Sequence, residues 1–396
     1  MIFQQGRCGL SVETAAKVVV VEGDISAEGL ALSEEDIKAL TDADISVVFH
    51  SAATVRFNEK LKGALQTNVG GTNEVLRLCR RFRKLKVLVY ISTAYSNCNR
   101  PLVEEKVYHS EIPPLRLIEC AKWMDNKLLD NLAEGPTIVV NSVEEPSPGW
   151  TNSLNGPAGV TVGSAVGLVR TILCNESLKV DIVPVDWVVN AVIASAWDVA
   201  YNKKQICVYN YTSGNRNPIT WREYMENCEI YGHEFPPENP IWYYSLTLTK
   251  RKWIYNILRI LLHICPAIAV DFICSIYGKE KRLLSIYEKV DEFADLSSFF
   301  TMNQWTFHER NITDLIGRMS SEDKVVFPFN IERLSWKPYF RNYMYGLRKY
   351  LLKEDPKSIP TAVKRIQRLR FIHRLLKLIP LLILFLFILH MLRVWS

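Results

Sequence analysis

The sequence has few cysteines and none of the cysteine spacings that hold metal ions or a disulfide framework. Its 9 cysteines are scattered over 396 residues, with no C-x-x-C pair among them. This pattern indicates reduced thiols facing the cytosol, and no metal site is expected. The N-terminal residues show no basic region followed by an apolar region, so no secretory signal is evident.

A large excess of charge of one sign is also missing. The chain has 48 basic and 42 acidic residues, a formal net charge of +6, and a hydrophobic content of 48%. No nucleic-acid partner is expected at this modest charge. The length is sufficient for two domains and a tail.

A strand–helix–strand pattern occupies residues 47–97. The apolar run Val47–Phe49 is followed by His50 and then by small side chains, and the run Val87–Ile91 is followed by hydroxyl side chains. Between them, residues 67–85 have helical spacing. Short β-branched runs predict further strands at Val18–Val21, Ile138–Val140, Val180–Val189 and Val208–Ser213. In an open parallel sheet, ligands bind where the strands end. The sequence therefore predicts a dinucleotide site formed by Ser51, Ala52, Ala53, Ser92 and Thr93.

The segments HSAATVRF, NVGGT and STAYSN resemble sequence motifs of the extended short-chain dehydrogenase/reductases. Within them it is most similar to the alcohol-forming fatty acyl-CoA reductases of the insect type. The resemblance runs from about Lys17 to the C-terminus. It implies an α/β fold, with a Rossmann-like doubly wound parallel sheet that is N-terminally incomplete here. A mainly helical C-terminal domain and a C-terminal membrane helix would follow.

The resemblance also implies a reaction and roles for individual residues. NADPH would reduce a long-chain acyl-CoA in two hydride transfers, first to the aldehyde and then to the primary alcohol. Asp24 would contact the adenine, and Ser51–Ala53 would let the backbone approach the ribose and pyrophosphate. Asn68 would support the active-site strand, with a helix N-cap as its alternative role. Thr93, with its neighbour Ser92, would bind the substrate carbonyl oxygen as negative charge develops there.

Two motifs of the resembled family do not occur where they would be expected. The sequence contains no Gly-rich loop T-G-x-T-G-F-x-G, and no Tyr-x-x-x-Lys lies between Tyr95 and the apolar run Ile138–Val140. The pairs Tyr277/Lys281 and Tyr345/Lys349 have that spacing but lie in the helical part, so we reject them as catalytic. The expectation is a chain that binds NADPH poorly and turns over little.

Two other functions remain open from the sequence. One is a non-catalytic protein, either a membrane-anchored lipid-binding paralogue or a dominant partner of an intact paralogue. The other is a different membrane-bound extended reductase, such as a sterol dehydrogenase. A homo-oligomer, or an assembly with an intact paralogue, is compatible with either.

The sequence predicts three regions: a reductase domain at 1–215, a helical domain at 216–355, and a basic linker with a membrane anchor at 356–396. Leu378–Leu389 has no polar side chain, and with its flanks it reaches the roughly 17–25 residues that span a bilayer. A buried core helix is the alternative. The preceding basic residues place the catalytic domain in the cytosol: Lys364, Arg365, Arg368, Arg370, Arg374 and Lys377.

The membrane that the resemblance implies is that of the endoplasmic reticulum or the peroxisome. The last residues, Arg393 to Ser396, are not a peroxisomal signal, which favours the endoplasmic reticulum. A second apolar segment, Trp253–Tyr277, carries Arg259, His263 and Asp271. Because charged groups are costly in lipid, this segment predicts a helical hairpin that covers an acyl tunnel or lies in the membrane interface.

Overall fold

The computed structural model describes residues 16–54, 61–109, 139–154, 156–202 and 205–394, with residues 113, 114, 116, 118 and 119. Side chains are described up to Leu378, except that of Leu61. Ile138, at the start of the predicted strand 138–140, lies outside these residues, as does most of the interval searched for a Tyr-x-x-x-Lys motif.

The chain forms two compact units, each built from three stretches of sequence. The first contains the residues up to Val139, Asp181–Asn217 and Trp305–Arg333. The second contains Val140–Val180, Pro218–Gln304 and Leu334–Ser396. The units interleave along the chain, and the linear division at 215 and 355 stays a prediction.

The first unit contains the predicted strand–helix–strand arrangement. Strand β1 is Val47–His50 and strand β2 is Val87–Tyr90. They pair in parallel, with Val47 opposite Val87 and His50 opposite Tyr90. Helix α1, before β1, is Glu34–Asp42. Within the connection between the strands, residues 61–79 are helical: Leu61–Ala64, the π turn Leu65–Gly70, and helix α2, Gly71–Cys79.

Four details of the predicted elements are wrong. Val18–Val21 is not a strand, and Val19 is 84% exposed because no described strand lies beside it. Helix α2 ends at Cys79 rather than near residue 85, since Lys86 must return to donate its N–H to the Ser46 carbonyl. Residues 185–189 begin a helix, and residues 208–213 are irregular.

The first unit also contains an ion pair between a buried carboxylate and a surface arginine. The carboxylate of Asp198 is fully buried and accepts hydrogen bonds from the Arg318 guanidinium at 2.9 and 2.6 Å. The Tyr209 hydroxyl donates a third bond at 2.6 Å.

The remaining helices of the first unit are Val185–Asn202, Arg310–Arg318 and Ser321–Val326. Its 3₁₀ turns are Glu28–Ala31, Ala94–Asn97 and Ile331–Arg333. Strand Leu102–Val103 pairs in parallel with strand Thr306–Phe307.

The second unit is mainly helical after residue 218, as predicted. Its core contains the fully buried Tyr224, Phe340 and Tyr343, with 2.8 Å between the two tyrosine hydroxyls. The helices are Pro157–Ala165, Trp221–Glu234, Lys252–Arg259, Cys265–Ile276, Leu283–Thr301, Trp336–Gly346 and Ile359–Val394; π turns are Ile260–Ile264 and Leu347–Leu351; a 3₁₀ turn is Pro356–Ser358.

The strands of the described residues pair two by two, so the continuous doubly wound sheet that we predicted is not seen among them. In the second unit, Thr171–Leu173 pairs in parallel with Thr247–Thr249, and Lys179–Val180 pairs antiparallel with Ile219–Thr220. Val139–Val140 and Val183–Pro184 are also strands. Strands of only two to four residues provide few backbone groups for a wider sheet.

Within the residues whose side chains the structure describes, one helical stretch is long and apolar enough to cross a membrane. It is Lys252–Ile276, a run of 25 residues in which only 17% of the most apolar window is buried. The backbone of the C-terminal segment Ile359–Val394 is also one helix, of 36 residues.

Hydrogen bonds fasten helix α2 and the preceding π turn to strand β1. The Thr72 hydroxyl donates to the Asn68 carbonyl at 2.6 Å, and His50 Nε2 lies 2.9 Å from the same hydroxyl oxygen. Because that hydroxyl proton is already used, His50 Nε2 is the donor in the second bond. Glycine at position 71 lets the chain approach closely on the other side, since a Cβ there would lie 2.4 Å from the Ile25 carbonyl oxygen.

We expect Gly71→Ala to lower the free energy of unfolding by about 1–3 kcal/mol, because the added methyl group would push the backbone at Ile25 away. Denaturant unfolding of the detergent-solubilised chain measures this loss. Gly317→Ala is the matched control, since nothing lies within 4 Å of its Cβ. Alanine is favoured over glycine in a helix, so the control keeps or slightly raises stability. Equal stability of the two variants would contradict the close approach.

Protonation of His50 is expected to destabilise the first unit. Burial lowers the pKa of His50 below its ordinary value of 6.5. The unfolded chain therefore binds more protons, and the free energy of unfolding falls as the pH drops below about 6.5. His50→Gln keeps a donor for Thr72 but does not titrate. We expect denaturant unfolding between pH 8 and pH 5 to show that the free energy of unfolding falls less for this variant than for the wild type. An equal fall in both proteins would be evidence against the effect.

Candidate functional site

Two of the segments predicted to bind a ligand, Ser51–Ala53 and Ser92–Thr93, follow strands β1 and β2 at the same edge of this strand pair. The Ile91 N–H donates to the His50 carbonyl at 2.9 Å, which continues the pairing to the last residues of both strands. Ser51–Ala53 follow β1, and Ser92 and Thr93 follow β2. Because the strands are parallel and in register, both segments begin at the carboxyl edge. Ser51, Ala52 and Ala53 are exposed there.

The side chain of Asn68 holds the segment that follows β1. Its amide oxygen accepts from the Thr54 N–H at 2.8 Å, and its amide nitrogen donates to the Thr54 carbonyl at 3.2 Å. Asn68 lies inside the π turn that begins at Leu65, so the alternative interpretation as a helix N-cap is wrong. The two bonds fix the backbone just beyond Ser51–Ala53.

Thr93 has a defined orientation at the end of β2. Its side-chain oxygen accepts from the Tyr95 N–H at 3.3 Å and caps the 3₁₀ turn Ala94–Asn97. Thr93 is half-buried, whereas Ser92 is exposed. Tyr95 is buried against Trp305, with 5.1 Å between ring centroids, and burial raises its pKa well above the usual range. Tyr95 therefore belongs to the core.

Asp24 lies on a loop that contacts the π turn and helix α2. Its carboxylate accepts from the Ser26 N–H at 2.8 Å and from the Ser26 hydroxyl at 2.7 Å, and these bonds lower its pKa. The exposed carboxylate is therefore an anion at neutral pH and can accept hydrogen bonds. Gln66 donates to the Ser26 carbonyl at 2.9 Å, and Glu74 accepts from the Gly29 N–H at 3.2 Å.

The contacts of Gln66 and Glu74 were missed from the sequence. Regular helical spacing does not place Gln66 and Gly71 on one face, because they are five residues apart. The π turn Leu65–Gly70 aligns residues at that separation, and both then reach the Asp24 loop. The glycine pair Gly70-Gly71, with Gln66 five residues before Gly71, is the signal that could have indicated it.

The two rejected Tyr-x-x-x-Lys pairs belong to the second unit, whereas Thr93 belongs to the first. Tyr277 is 75% exposed at the end of its helix. The Lys349 ammonium lies 5.9 Å from the centre of the Tyr345 ring. Among the described residues, no cluster of His, Cys, Asp or Glu could hold a metal ion.

The arrangement suits a nucleotide and a carbonyl compound. Exposed small side chains at Ser51–Ala53 leave the backbone accessible to a bulky ligand, and Asp24 provides an anionic acceptor. The hydroxyl groups of Ser92 and Thr93 can hydrogen-bond a carbonyl oxygen. These residues therefore fit a nicotinamide dinucleotide that lies across the strand ends.

Two family models match the chain. A model described as male sterility protein matches residues 262–354. An NAD-binding model with the same description matches residues 2–135 and 119–192. Together they cover the strand pair and most of the helical part, and they support a nicotinamide-binding domain in this chain.

Solved structures with a similar fold are reductase domains. The terminal R domain of the myxalamid PKS-NRPS pathway has a TM-score of 0.52 at 18% identity and covers 86% of this chain and 77% of its own. The R domain of a non-ribosomal peptide synthetase from Mycobacterium tuberculosis has a TM-score of 0.51 at 18% identity, with the same shares covered. These similarities show a Rossmann-like fold.

Sequence relatives match this chain over most of its length. Fatty acyl-CoA reductase wat of Drosophila melanogaster is 35% identical over 90% of this chain and 75% of its own length. Fatty acyl-CoA reductase 1 of Xenopus laevis is 34% identical over 90% of this chain and 76% of its own. The human fatty acyl-CoA reductase 1 is 31% identical over 89% of this chain and 75% of its own length. This chain belongs to the fatty acyl-CoA reductase family.

Proposed function

We propose that the protein reduces long-chain fatty acyl-CoA to primary fatty alcohol with NADPH. The observation that carries the proposal is the common edge at which Ser51–Ala53 and Ser92–Thr93 leave two parallel strands in register. Family membership supplies the substrate class. It favours acyl-CoA reduction over the sterol dehydrogenase and the non-catalytic lipid binder that the sequence left open.

The cofactor would lie against residues that the fold holds in place. Asp24 would accept hydrogen bonds from the adenine end, and the exposed backbone at Ser51–Ala53 would face the ribose and pyrophosphate. Asn68 positions that backbone through its two bonds to Thr54. When bound, NADPH supplies the hydride for each reduction step.

Thr93 would bind the substrate's carbonyl oxygen. As hydride reaches the carbonyl carbon, negative charge develops on that oxygen, and a hydroxyl donor held beside it stabilises the charge. The Tyr95 N–H fixes the position of the Thr93 oxygen before substrate arrives. Ser92, one residue earlier and more exposed, would bind the outer side of the substrate.

The proton donor is the part of the reaction for which the described residues offer no candidate at the strand ends. Between Tyr95 and Val139 the sequence has no Tyr-x-x-x-Lys. Low turnover therefore stays a prediction of the sequence. We propose water, or a group outside the described residues, as the source of the proton.

A membrane location agrees with the substrate, because acyl chains partition into lipid. We propose that the apolar part of the C-terminal helix Ile359–Val394 spans the bilayer once. The basic residues that precede it would keep the catalytic domain in the cytosol. We propose the endoplasmic reticulum, and an association with a second copy or an intact paralogue remains a prediction of the sequence.

Expression in yeast tests the reaction. We expect gas chromatography–mass spectrometry of lipid extracts to show primary fatty alcohol above the empty-vector level. The chain lengths found would identify the preferred substrate. Alcohol at the empty-vector level, with the protein present in membranes, would contradict the proposed activity and support loss of turnover. Altered sterols without alcohol would point to the sterol dehydrogenase.

Substitution of Thr93 tests the site itself. We expect Thr93→Val to lower kcat of the purified chain by about 10²-fold or more, because one donor to the developing charge is lost. Thr93→Ser keeps the hydroxyl and the cap on the Tyr95 N–H, and it should retain most activity. Rates with NADPH and with NADH, and thermal unfolding of each variant, complete the measurement. A larger loss for Ser92→Ala than for Thr93→Val would assign the role to Ser92.

A further inference from the structure

The second unit contains a helical hairpin with one bare apolar face. The hairpin, residues 252–301, consists of Lys252–Arg259, the π turn Ile260–Ile264, Cys265–Ile276 and the returning helix Leu283–Thr301. Apolar side chains at helical spacing form a stripe along its first arm. Each is about half exposed or more: Trp253, Ile257, Ile260, Ile268, Phe272 and Ile276.

Arg259, His263 and Asp271 of the first arm are bound by groups of the protein, whereas Lys252, Asn256 and Ser275 are exposed. Asp271 is buried and accepts three backbone N–H groups of residues 282–284, at 3.0–3.2 Å, which caps the returning helix. The Arg259 guanidinium pairs with Asp291 of that helix at 2.5 Å. His263 is 1% exposed and stacks on Tyr287, with 4.9 Å between ring centroids. The apolar stripe is therefore left on the outer face, and its exposure is not a result of misplaced core residues.

A chain of contacts within the same unit joins the hairpin to the base of the C-terminal helix. The Arg170 N–H donates to His263 at 3.0 Å, and the Arg170 guanidinium lies 5.5 Å from the centre of the Trp242 ring. The Trp242 indole N–H then donates to His373 Nδ1 at 3.2 Å. His373 stands only five residues before the apolar run that starts at Leu378. A bilayer that receives this run therefore has the middle of the hairpin near its surface.

Basic side chains stand at both ends of the apolar stripe. Lys250, Arg251 and Lys252 precede it, and Lys279, Lys281 and Arg282 follow it; all six are exposed, and Arg282 pairs with the exposed Glu280. The one acidic residue of the first arm, Asp271, is buried. An apolar face with basic ends matches the interface of an anionic membrane, where lysine and arginine meet the headgroups.

We propose that the 252–301 hairpin lies flat on the cytosolic surface of a lipid bilayer, with its apolar stripe among the upper acyl chains. This orientation rests on the C-terminal anchor proposed above. A span is disfavoured, because Arg259, His263 and Asp271 are held by protein groups along its length. The hairpin would form a second, monotopic contact and would hold the second unit at the lipid from which acyl substrates come.

Flotation of full-length variants with vesicles tests the proposal. The substitution pair Ile383→Arg with Phe387→Arg interrupts the terminal apolar run and removes its ability to span. We expect this chain still to float with phosphatidylcholine vesicles that contain about 30% phosphatidylserine. Adding Phe272→Glu with Ile276→Glu should reduce the bound fraction at least tenfold. Adding Val325→Glu with Val326→Glu, which are as exposed but lie in the first unit, should leave it unchanged.

Three results would overturn the hairpin contact. The first is no flotation of the anchor variant while its hairpin is intact. The second is equal flotation with and without Phe272→Glu and Ile276→Glu. The third is a lipid-free dimer that these two substitutions dissociate, because the apolar stripe would then be a protein interface.

The same variants separate this proposal from the reductase function. Activity of Phe272→Glu with Ile276→Glu on a short, soluble acyl-CoA in detergent should equal that of the wild type. Loss of that activity, with the fold intact, would place the stripe in the acyl site and overturn the membrane contact. Failure of the wild type to reduce any acyl-CoA would count against the proposed function alone, since flotation does not depend on turnover.

Discussion

The parallel pairing of β1 with β2 is the constraint on which the candidate site depends. Both strands end at the same edge, so two short segments that are 40 residues apart in the sequence come to lie side by side. That edge would be loose without the connections made by the intervening helical segment. Asn68 binds the backbone of Thr54, Thr72 binds Asn68, and His50 binds Thr72. Three side chains thus join the end of β1 to the helix that leads to β2, and a histidine whose pKa is lowered by burial belongs to this chain of bonds.

The sequence allowed the strand–helix–strand arrangement and the site edge to be predicted, because short β-branched runs and a helical period are local patterns. It could not give the limits of α2, which depend on where Lys86 must return to pair with Ser46. Val18–Val21 has the composition of a buried strand but lies exposed, since composition does not show whether a neighbouring strand is present. The contacts of Gln66 and Glu74 with the Asp24 loop were missed for a different reason. They depend on a π turn, and no simple period indicates one.

The two units use charge in different ways. In the first, the exposed Arg318 pairs with the buried Asp198, and removal of Arg318 would leave a buried charge. In the hairpin of the second unit, Arg259 and Asp271 are bound on the protein side, so the outer side consists of apolar groups between basic ends. The same types of residue therefore fix helices together in one unit and clear a face of charge in the other.

The π turn Leu65–Gly70 has a consequence for how this part of the chain can change. A regular α-helix turns by about 100° for each residue. If the turn lost one residue, the helical segment would persist, but Gly71 and Glu74 would rotate away from the loop that carries Asp24. Asn68 faces β1 from within the turn, whereas Gly71 and Glu74 face the loop from beyond it. Substitutions can be absorbed here one side chain at a time, but insertions and deletions alter both faces together, so the length of this segment is more constrained than its composition.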